Sequence, residues 1–319
     1  MIDKQTVFIL GAGANAPYGY PTGKQLRQQI IDNLDINRKK VDMVQFNELL
    51  CKLLLQEKRI ESKELRNTLL ESRRSSIDLF LENRPELINI GKLSIACGII
   101  EFEKRDKGPW DWFEYLHDSE LAQCKSAEEY CQKNNVNFIT FNYDRHLEHS
   151  LISSLKSTYD EKEDRCAELI KDYFEIIHVH GKLDNLPWED GSGRTYGNKP
   201  STLDELEKSA EGIEIIHEND NKSFGNARKL IKNAELIIFL GLNLHNHTNL
   251  NRLDIQDNMK DKRIYATLKG LTGPQRDDVS EYFNHELSFI SLRAVKNNRS
   301  QIYKYNAYDL LREEVRFRY

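Results

Sequence analysis

The stretch that most constrains this chain is residues 6–23, TVFILGAGANAPYGYPTG, in which a short apolar run leads into a glycine-rich turn. The run at residues 7–10 predicts a buried strand, and a helical pattern resumes at residues 23–34. Glycines between a strand and a helix let backbone N–H groups approach a phosphate, and the helix N-terminus adds partial positive charge. Glycines also suit a tight turn that binds nothing, and the third glycine of G-x-G-x-x-G is missing. The turn alone therefore leaves nucleotide binding open.

The composition of the chain disfavours some classes of function. The 319 residues are 30% charged and 39% hydrophobic, with a formal net charge of -5, which is typical of a globular protein. That balance gives no sign of a basic surface, so direct nucleic-acid readout is not expected. No apolar run reaches membrane-spanning length, and residues 1–10 do not have the pattern of a signal sequence. We expect a cytoplasmic protein without membrane contacts.

The five cysteines are dispersed and form no C-x-x-C pair. This spacing argues against both a zinc ribbon and a disulfide framework. Buried thiols and no bound metal are the expectation.

The remaining pattern alternates strands and helices. Residues 41–131 are almost entirely helical in pattern, which is too long for one crossover helix, so they predict an inserted helical subdomain. A domain formed by residues 1–40 and 132–319 would hold the sheet. Its further strands are predicted at residues 137–142, 174–181, 213–216, 235–241, 263–268 and 287–294, with a closing helix at 307–316. Residues 182–200, rich in glycine and proline, form a candidate lid. The alternation favours a mostly parallel sheet with helices on both faces.

Polar or glycine residues follow four of these strands. In parallel sheets, ligands bind at the carboxyl ends of the strands, near the point where the strand order reverses. The four strand ends together therefore form a site hypothesis: Gly11-Ala12-Gly13, Asn142-Tyr143-Asp144, His178-Val179-His180-Gly181 and Gly241-Leu242-Asn243.

These segments resemble a known family. GAGAN followed by YGYPTG, then TFNYD, HVHG and FLGLN, is similar to the sirtuin-type NAD-consuming fold, and most similar to the bacterial sirtuin-like NADase domains of antiphage defence systems. The resemblance spans residues 7–270 and implies a Rossmann-like sheet with a large helical insertion and without the zinc module. It also implies that NAD+ is the substrate.

Site residues are carried over from the resemblance one by one. It implies that the pyrophosphate and the adjoining ribose lie against Gly11, Ala12, Gly13, Asn15 and Thr22. It implies that Asn142 and Asp144 flank the nicotinamide ribose and that His180 is the catalytic histidine. The adenosine half would contact Gly241 and Asn243.

The chemistry suits these residue types. Cleaving the C1′–nicotinamide bond develops positive charge on the ribose, which a nearby carboxylate such as Asp144 stabilises. A neutral imidazole at His180 can act on ribose hydroxyls, and the uncharged amide of Asn142 can hold the attacking water.

Two departures from protein-deacetylating sirtuins favour hydrolysis. The paired cysteines of their zinc module have no counterpart here. Their proline-aspartate-phenylalanine-arginine segment is replaced by Pro21-Thr22-Gly23-Lys24, which removes the aromatic that would shield the intermediate from water. We therefore expect an NAD+ glycohydrolase that depletes NAD+ as an antiphage, abortive-infection effector.

Two alternatives stay open. One is a non-catalytic regulatory subunit that binds NAD or ADP-ribose, and the other is a sirtuin-type protein deacylase or ADP-ribosyltransferase. The resemblance also implies a homo-oligomer and a regulatory partner, such as a HerA-type ATPase or an Argonaute-type protein.

Several residues have a structural interpretation beside the functional one. Asp144 could simply cap the helix that follows it. The segment at residues 245–247, His-Asn-His, superficially resembles an HNH nuclease or a metal pair, but the surrounding metal finger is missing. His146 and His149 are interpreted as surface or packing residues, and Trp110 and Trp112 as core or interface anchors.

Overall fold

The computed structural model describes residues 1–35, 48–103, 111–215, 222–245, 247–259, 261–283 and 305–317. Within these ranges, one sheet is formed by β1 (Thr6–Leu10), β2 (Val136–Thr140), β3 (Ile176–His178), β4 (Leu236–Leu240) and β5 (Arg263–Ala266). Every neighbouring pair is parallel, in the order β3-β2-β1-β4-β5. The predicted parallel α/β architecture is confirmed. The strand predicted at residues 287–294 lies outside the described residues.

Most of the described helices lie between strands in the chain, and two of them follow the last strand. The first half of the chain contains α1 (Gly23–Asn33), α2 (Glu48–Glu57), α3 (Arg59–Ser72), α4 (Ile77–Leu81), α5 (Ile88–Ile100), α6 (Trp112–Leu116) and α7 (Ala127–Lys133). The chain after β2 contains α8 (His146–Tyr159), α9 (Glu163–Tyr173), α10 (Pro187–Asp190), α11 (Leu203–Glu211), α12 (Lys222–Asn233), α13 (His247–Arg252), α14 (Gly273–Tyr282) and α15 (Ala307–Glu313). Asn306 caps α15, where the closing helix is predicted.

The central strands are buried on both faces, which is why they are continuous apolar runs. Alternate side chains point to opposite faces, so Phe8 and Leu10 belong to one core cluster and Val7 and Ile9 to the other. The rings of Phe8 and Phe138 stack at 5.4 Å across β1 and β2. All residues of β1 and β4 are buried.

The strand order reverses beside β1. The chain moves from β1 outward to β2 and β3, then returns to the other side of β1 for β4 and β5. The carboxyl ends of β1 and β4 therefore flank the switch point, where open α/β sheets bind ligands.

The helices at residues 48–100 pack on the sheet domain. α5 contacts α1 and α11, and its buried side chains share one cluster with Phe8 and Leu10. Trp112 is 1% exposed and donates from Nε1 to the carbonyl of Ala14 at 2.9 Å, so it is a core residue. Trp110 lies outside the described residues. The division into residues 1–40 with 132–319 and residues 41–131 stays a prediction.

The candidate lid at residues 182–200 is held by a buried ion-pair network. Arg145, 0% exposed, forms a two-pronged pair with Glu103 and donates to the carbonyls of Asp184 and Asn185. Arg194, inside the loop, donates to both Glu103 and Asp184. The loop is thus fastened to the helical segment and to the start of α8.

Candidate active site at the switch point

The glycine turn after β1 packs directly on the end of β4. Gly11 donates its N–H to the carbonyl of Leu240 at 2.9 Å, and Gly13 donates to the carbonyl of Gly241 at 3.0 Å. A Cβ on Gly241, which has φ +66°, would lie 1.9 Å from the nitrogen of Ala14. These glycines are therefore needed for close backbone contact between two strand ends. The N–H groups of Gly11 and Gly13 are used by the last residue of β4 and by the residue that follows it.

Asn15 and Asp144 join the glycine turn to the end of β2. The Nδ2 of Asn15 donates to Oδ1 and Oδ2 of Asp144 at 2.8 and 2.9 Å, and both side chains are buried. Oδ1 of Asp144 also accepts from the backbone N–H of His146 at 3.0 Å. Burial raises the pKa of Asp144 to about 6, although these hydrogen bonds oppose the rise. Asp144 thus holds the start of α8 and also places a carboxyl group at the switch point.

Asn142 lies two residues beyond β2, because the strand ends at Thr140 rather than at residue 142. Its side chain is 6% exposed and donates from Nδ2 to the carbonyl of Gly11 at 3.3 Å. Its Oδ1 is buried and has no hydrogen-bond partner within the described residues. A buried acceptor without a donor costs free energy, so this oxygen is suited to a water or a ligand N–H or O–H group.

His180 lies at the carboxyl edge of the sheet, among aromatic rings from both layers. The predicted strand at residues 174–181 is shorter than expected and ends at His178, since the chain turns at Gly181. The rings of Phe141, Phe224 and Tyr143 lie 5.4, 5.8 and 6.4 Å from the imidazole. Burial lowers the pKa of His180 to about 4, so the ring is neutral at pH 7. His180 thus packs against the two residues that flank Asn142 in the chain, Phe141 and Tyr143.

His178, at a predicted strand end, belongs to a charged group with Glu148 and Lys182, which the sequence reasoning missed. His178 lies 2.9 Å from the carbonyl of Asn142 through Nδ1 and 2.7 Å from Oε1 of Glu148 through Nε2. Lys182 donates to the same carboxylate oxygen at 3.2 Å. Burial alone would raise the pKa of Glu148, but His178 and Lys182 hold it well below its ordinary value. The group fixes the backbone that carries Asn142. Glu148 follows Asp144 by one helical turn, and that spacing is its one signal in the sequence.

A tyrosine and histidine cluster covers the Asn15–Asp144 pair. His146 packs on the ring of Tyr18 at 3.9 Å and approaches the hydroxyl of Tyr196 at 3.1 Å through Nδ1. The hydroxyls of Tyr20 and Tyr196 lie 2.8 Å apart. His149 stacks on Tyr196 at 3.8 Å, so both histidines pack against tyrosine rings. The sequence gives no signal that Tyr196, which is 50 residues away from His146, belongs to this cluster.

The remaining sequence-predicted residues are Ala12, Thr22 and Asn243. Thr22 caps α1, since its N–H and hydroxyl both donate to Oε1 of Gln25. Asn243 is exposed, and Ala12 begins the short helical turn that contains Gly13. Thr267, which sequence reasoning missed, accepts the N–H of Gly241 at 2.8 Å. It follows β5, so the strand-end rule could have found it.

The two histidines of the His-Asn-His segment face one carboxylate. His245 and His247 lie 2.9 and 3.3 Å from Oδ2 of Asp278. Among the described residues, no group of three or more side chains forms a metal site, and no helix is long and apolar enough to cross a membrane. The cysteines at positions 97, 131 and 166 are buried free thiols, and Cys124 is half-buried.

Comparison with known proteins gives little support beyond this geometry. No family model and no curated protein matches the chain. Among solved structures, the chain is similar to a mutant Sir2 homologue in complex with 2′-O-acetyl ADP-ribose. The identity is 14%, the alignment covers 89% of this chain and 94% of that chain, and the TM-score is 0.37. At this TM-score, the similarity supports no conclusion about the fold or the function of this chain. The fold is established by the strand order and the contacts described above.

Proposed function

We propose that the chain cleaves NAD+ to nicotinamide and ADP-ribose. The observation that carries the proposal is the amide of Asn142. Its Nδ2 is fixed on the carbonyl of Gly11 at the switch point, while its buried Oδ1 has no partner within the described residues. An acceptor held in this way can orient a water molecule toward the C1′ atom of a bound ribosyl group.

The neighbouring side chains supply the rest of the chemistry. As nicotinamide leaves with the bonding electron pair, positive charge develops on the ribose and is stabilised by the carboxylate of Asp144. Above pH 6 this carboxylate is mostly ionised, because its pKa is raised to about 6. The neutral imidazole of His180 accepts a hydrogen bond from a ribose hydroxyl. Water adds at C1′, and one proton is released.

A direct assay tests the proposal. The purified chain is incubated with NAD+, alone and with the product of the neighbouring gene, while nicotinamide and ADP-ribose are measured. The wild type should release both products in equal amounts, and Asn142→Ala and His180→Ala should each abolish release while remaining folded. Binding of NAD+ without nicotinamide release would favour a regulatory binding module. Release only in the presence of an acyl-peptide or acceptor protein would favour a deacylase or transferase.

We further propose that this activity depletes NAD+ as an antiphage, abortive-infection effector under external control. Unregulated loss of NAD+ would harm the cell that makes the enzyme, so a homo-oligomer or a partner such as a HerA-type ATPase or an Argonaute-type protein would restrain it. Size-exclusion chromatography tests this idea. A strict monomer that hydrolyses NAD+ constitutively would contradict it.

A further inference from the structure

Arg252 lies against the same aromatic ring, Phe224, that packs against His180. Its guanidinium carbon is 5.7 Å from the centre of the Phe224 ring, and that ring is 5.8 Å from the imidazole of His180. A guanidinium at this distance is attracted to the face of an aromatic ring. Phe224 thus fixes a positive charge close to the candidate catalytic histidine.

The guanidinium of Arg252 lacks an anionic partner in the described part of the chain. Its Nη1 is buried without a hydrogen-bond partner, and no described carboxylate lies within ion-pair distance. The neighbouring Arg228 differs, since its Nε lies 3.0 Å from Asp254 and donates to the carbonyl of Arg252 at 2.8 Å. A partly buried and unpaired cation costs free energy, which a bound anion would recover.

The two glycines of the turn do not have free backbone donors for a phosphate. The N–H groups of Gly11 and Gly13 donate to Leu240 and Gly241. A diphosphate at the switch point therefore receives no hydrogen bond from these two glycines, which leaves a role for a cationic side chain from another element. A planar guanidinium matches phosphate oxygens with two parallel hydrogen bonds.

We propose that Arg252 binds the diphosphate of the substrate. The assignment rests on the proposed function, since the diphosphate of NAD+ is joined to the nicotinamide ribose by a single methylene group and must lie near the group that contacts this ribose. Arg252 and His180 pack on the same Phe224 ring, which satisfies that requirement. The ligand class is a ribosyl diphosphate, such as ADP-ribose.

Binding of ADP-ribose, a product that is not hydrolysed further, tests the assignment by calorimetry. Arg252→Gln removes a charge-assisted contact and should weaken ADP-ribose binding roughly 10- to 100-fold. Arg252→Lys keeps the charge without the planar fork and should weaken it less. Lys229→Gln is the control, because Lys229 is an exposed cation on α12, the helix that carries Phe224. This control should bind as the wild type does.

Steady-state kinetics with two substrates distinguish a contact to the diphosphate from a role of Arg252 in bond cleavage. Arg252→Gln should raise KM for NAD+ by the same factor as the dissociation constant of ADP-ribose. It should leave kcat/KM unchanged for nicotinamide riboside, which has the scissile bond and no phosphate. Equal ADP-ribose affinities for the wild type and Arg252→Gln, or no measurable binding by the wild type, would overturn the assignment. If Arg252→Gln fails to fold, unchanged affinity in Arg252→Lys would overturn it.

One result would separate this assignment from the proposed function. ADP-ribose binding that depends on Arg252, together with no nicotinamide release by the wild type, would refute the hydrolysis and support the diphosphate contact.

Discussion

Asn15 holds both carboxylate oxygens of Asp144 with a single amide nitrogen, at 2.8 and 2.9 Å. The two residues are 129 positions apart, and one follows β1 while the other follows β2. The pair brings the glycine turn and a buried carboxyl group together at the switch point. It also controls the protonation of that carboxyl, because hydrogen bonds to a carboxylate favour its charged form.

The fall in kcat/KM on the acid side of the pH profile should reflect the protonation of Asp144. Because its pKa is about 6, kcat/KM for NAD+ should fall as the pH drops below 6. Asn15→Ala removes hydrogen bonds that lower this pKa, so the limb should move to higher pH. Steady-state rates from pH 4.5 to 8.5 check this. A limb near pH 4 in the wild type would assign the essential group to His180 instead.

Burial of His180 should make the fold sensitive to acid. Its pKa is about 4 in the folded chain and ordinarily 6.5, so between these values the unfolded chain binds a proton that the folded chain does not. Stability therefore falls as the pH drops from 6.5 toward 4, by up to roughly 3 kcal/mol. His180→Gln lacks this loss, so its free energy of unfolding should rise relative to the wild type at acid pH.

Urea unfolding at pH 7.5 and pH 5 measures that difference. Asp144 changes the stability in the opposite direction, because its raised pKa makes the folded chain bind the proton more tightly as the pH falls. This contribution is the same in the wild type and in His180→Gln, so it cancels in the comparison. An unchanged difference between the two pH values would contradict a buried neutral imidazole.

Two glycines with similar backbone angles should respond differently to a methyl group. Gly241 and Gly191 have φ +66° and +77°, but a Cβ at Gly241 would lie 1.9 Å from the nitrogen of Ala14, whereas a Cβ at Gly191 meets nothing within 4 Å. Gly191→Ala should cost about 1 kcal/mol through backbone strain alone. Gly241→Ala should cost about 3 kcal/mol or more, because two backbones must separate. Equal losses in the free energy of unfolding, measured by chemical denaturation, would show that the ends of β1 and β4 are not in this close backbone contact.

His178 should act on turnover through Asn142. His178→Phe removes the contacts to the carbonyl of Asn142 and to Glu148, which frees the backbone beyond β2. We expect kcat for NAD+ to fall roughly 10-fold or more, with little change in KM, because the amide loses its orientation while the diphosphate contact remains. His149→Phe is the matched control, since that histidine stacks on Tyr196. Equal effects of the two variants on kcat would contradict the positioning role.

Much of the sheet could be predicted from local pattern. The apolar runs at residues 7–10 and 235–241 have no polar alternation, which is typical of strands buried on both faces, and they form the centre of the sheet. The rule that ligands bind at the carboxyl ends of strands pointed to Gly11, Asn142 and Gly241, and the structure places these strand ends together. The predicted strand at residues 213–216 is reduced, in its described part, to an isolated bridge between Ile213 and Gly181.

The sequence by itself determined the parallel sheet and the glycines at its edge, because strand periodicity and positive φ are local properties. Only the tertiary structure decided that the glycine N–H groups donate to the end of β4 and the residue after it, and that Asn15 donates to both oxygens of Asp144. It also decided that Nη1 of Arg252 is buried without a hydrogen-bond partner among the described residues. Such pairings depend on how helices distant in sequence pack over the strand ends. Burial then sets the charge of each group, since the free energy of an ionised side chain depends on the solvent that those helices exclude.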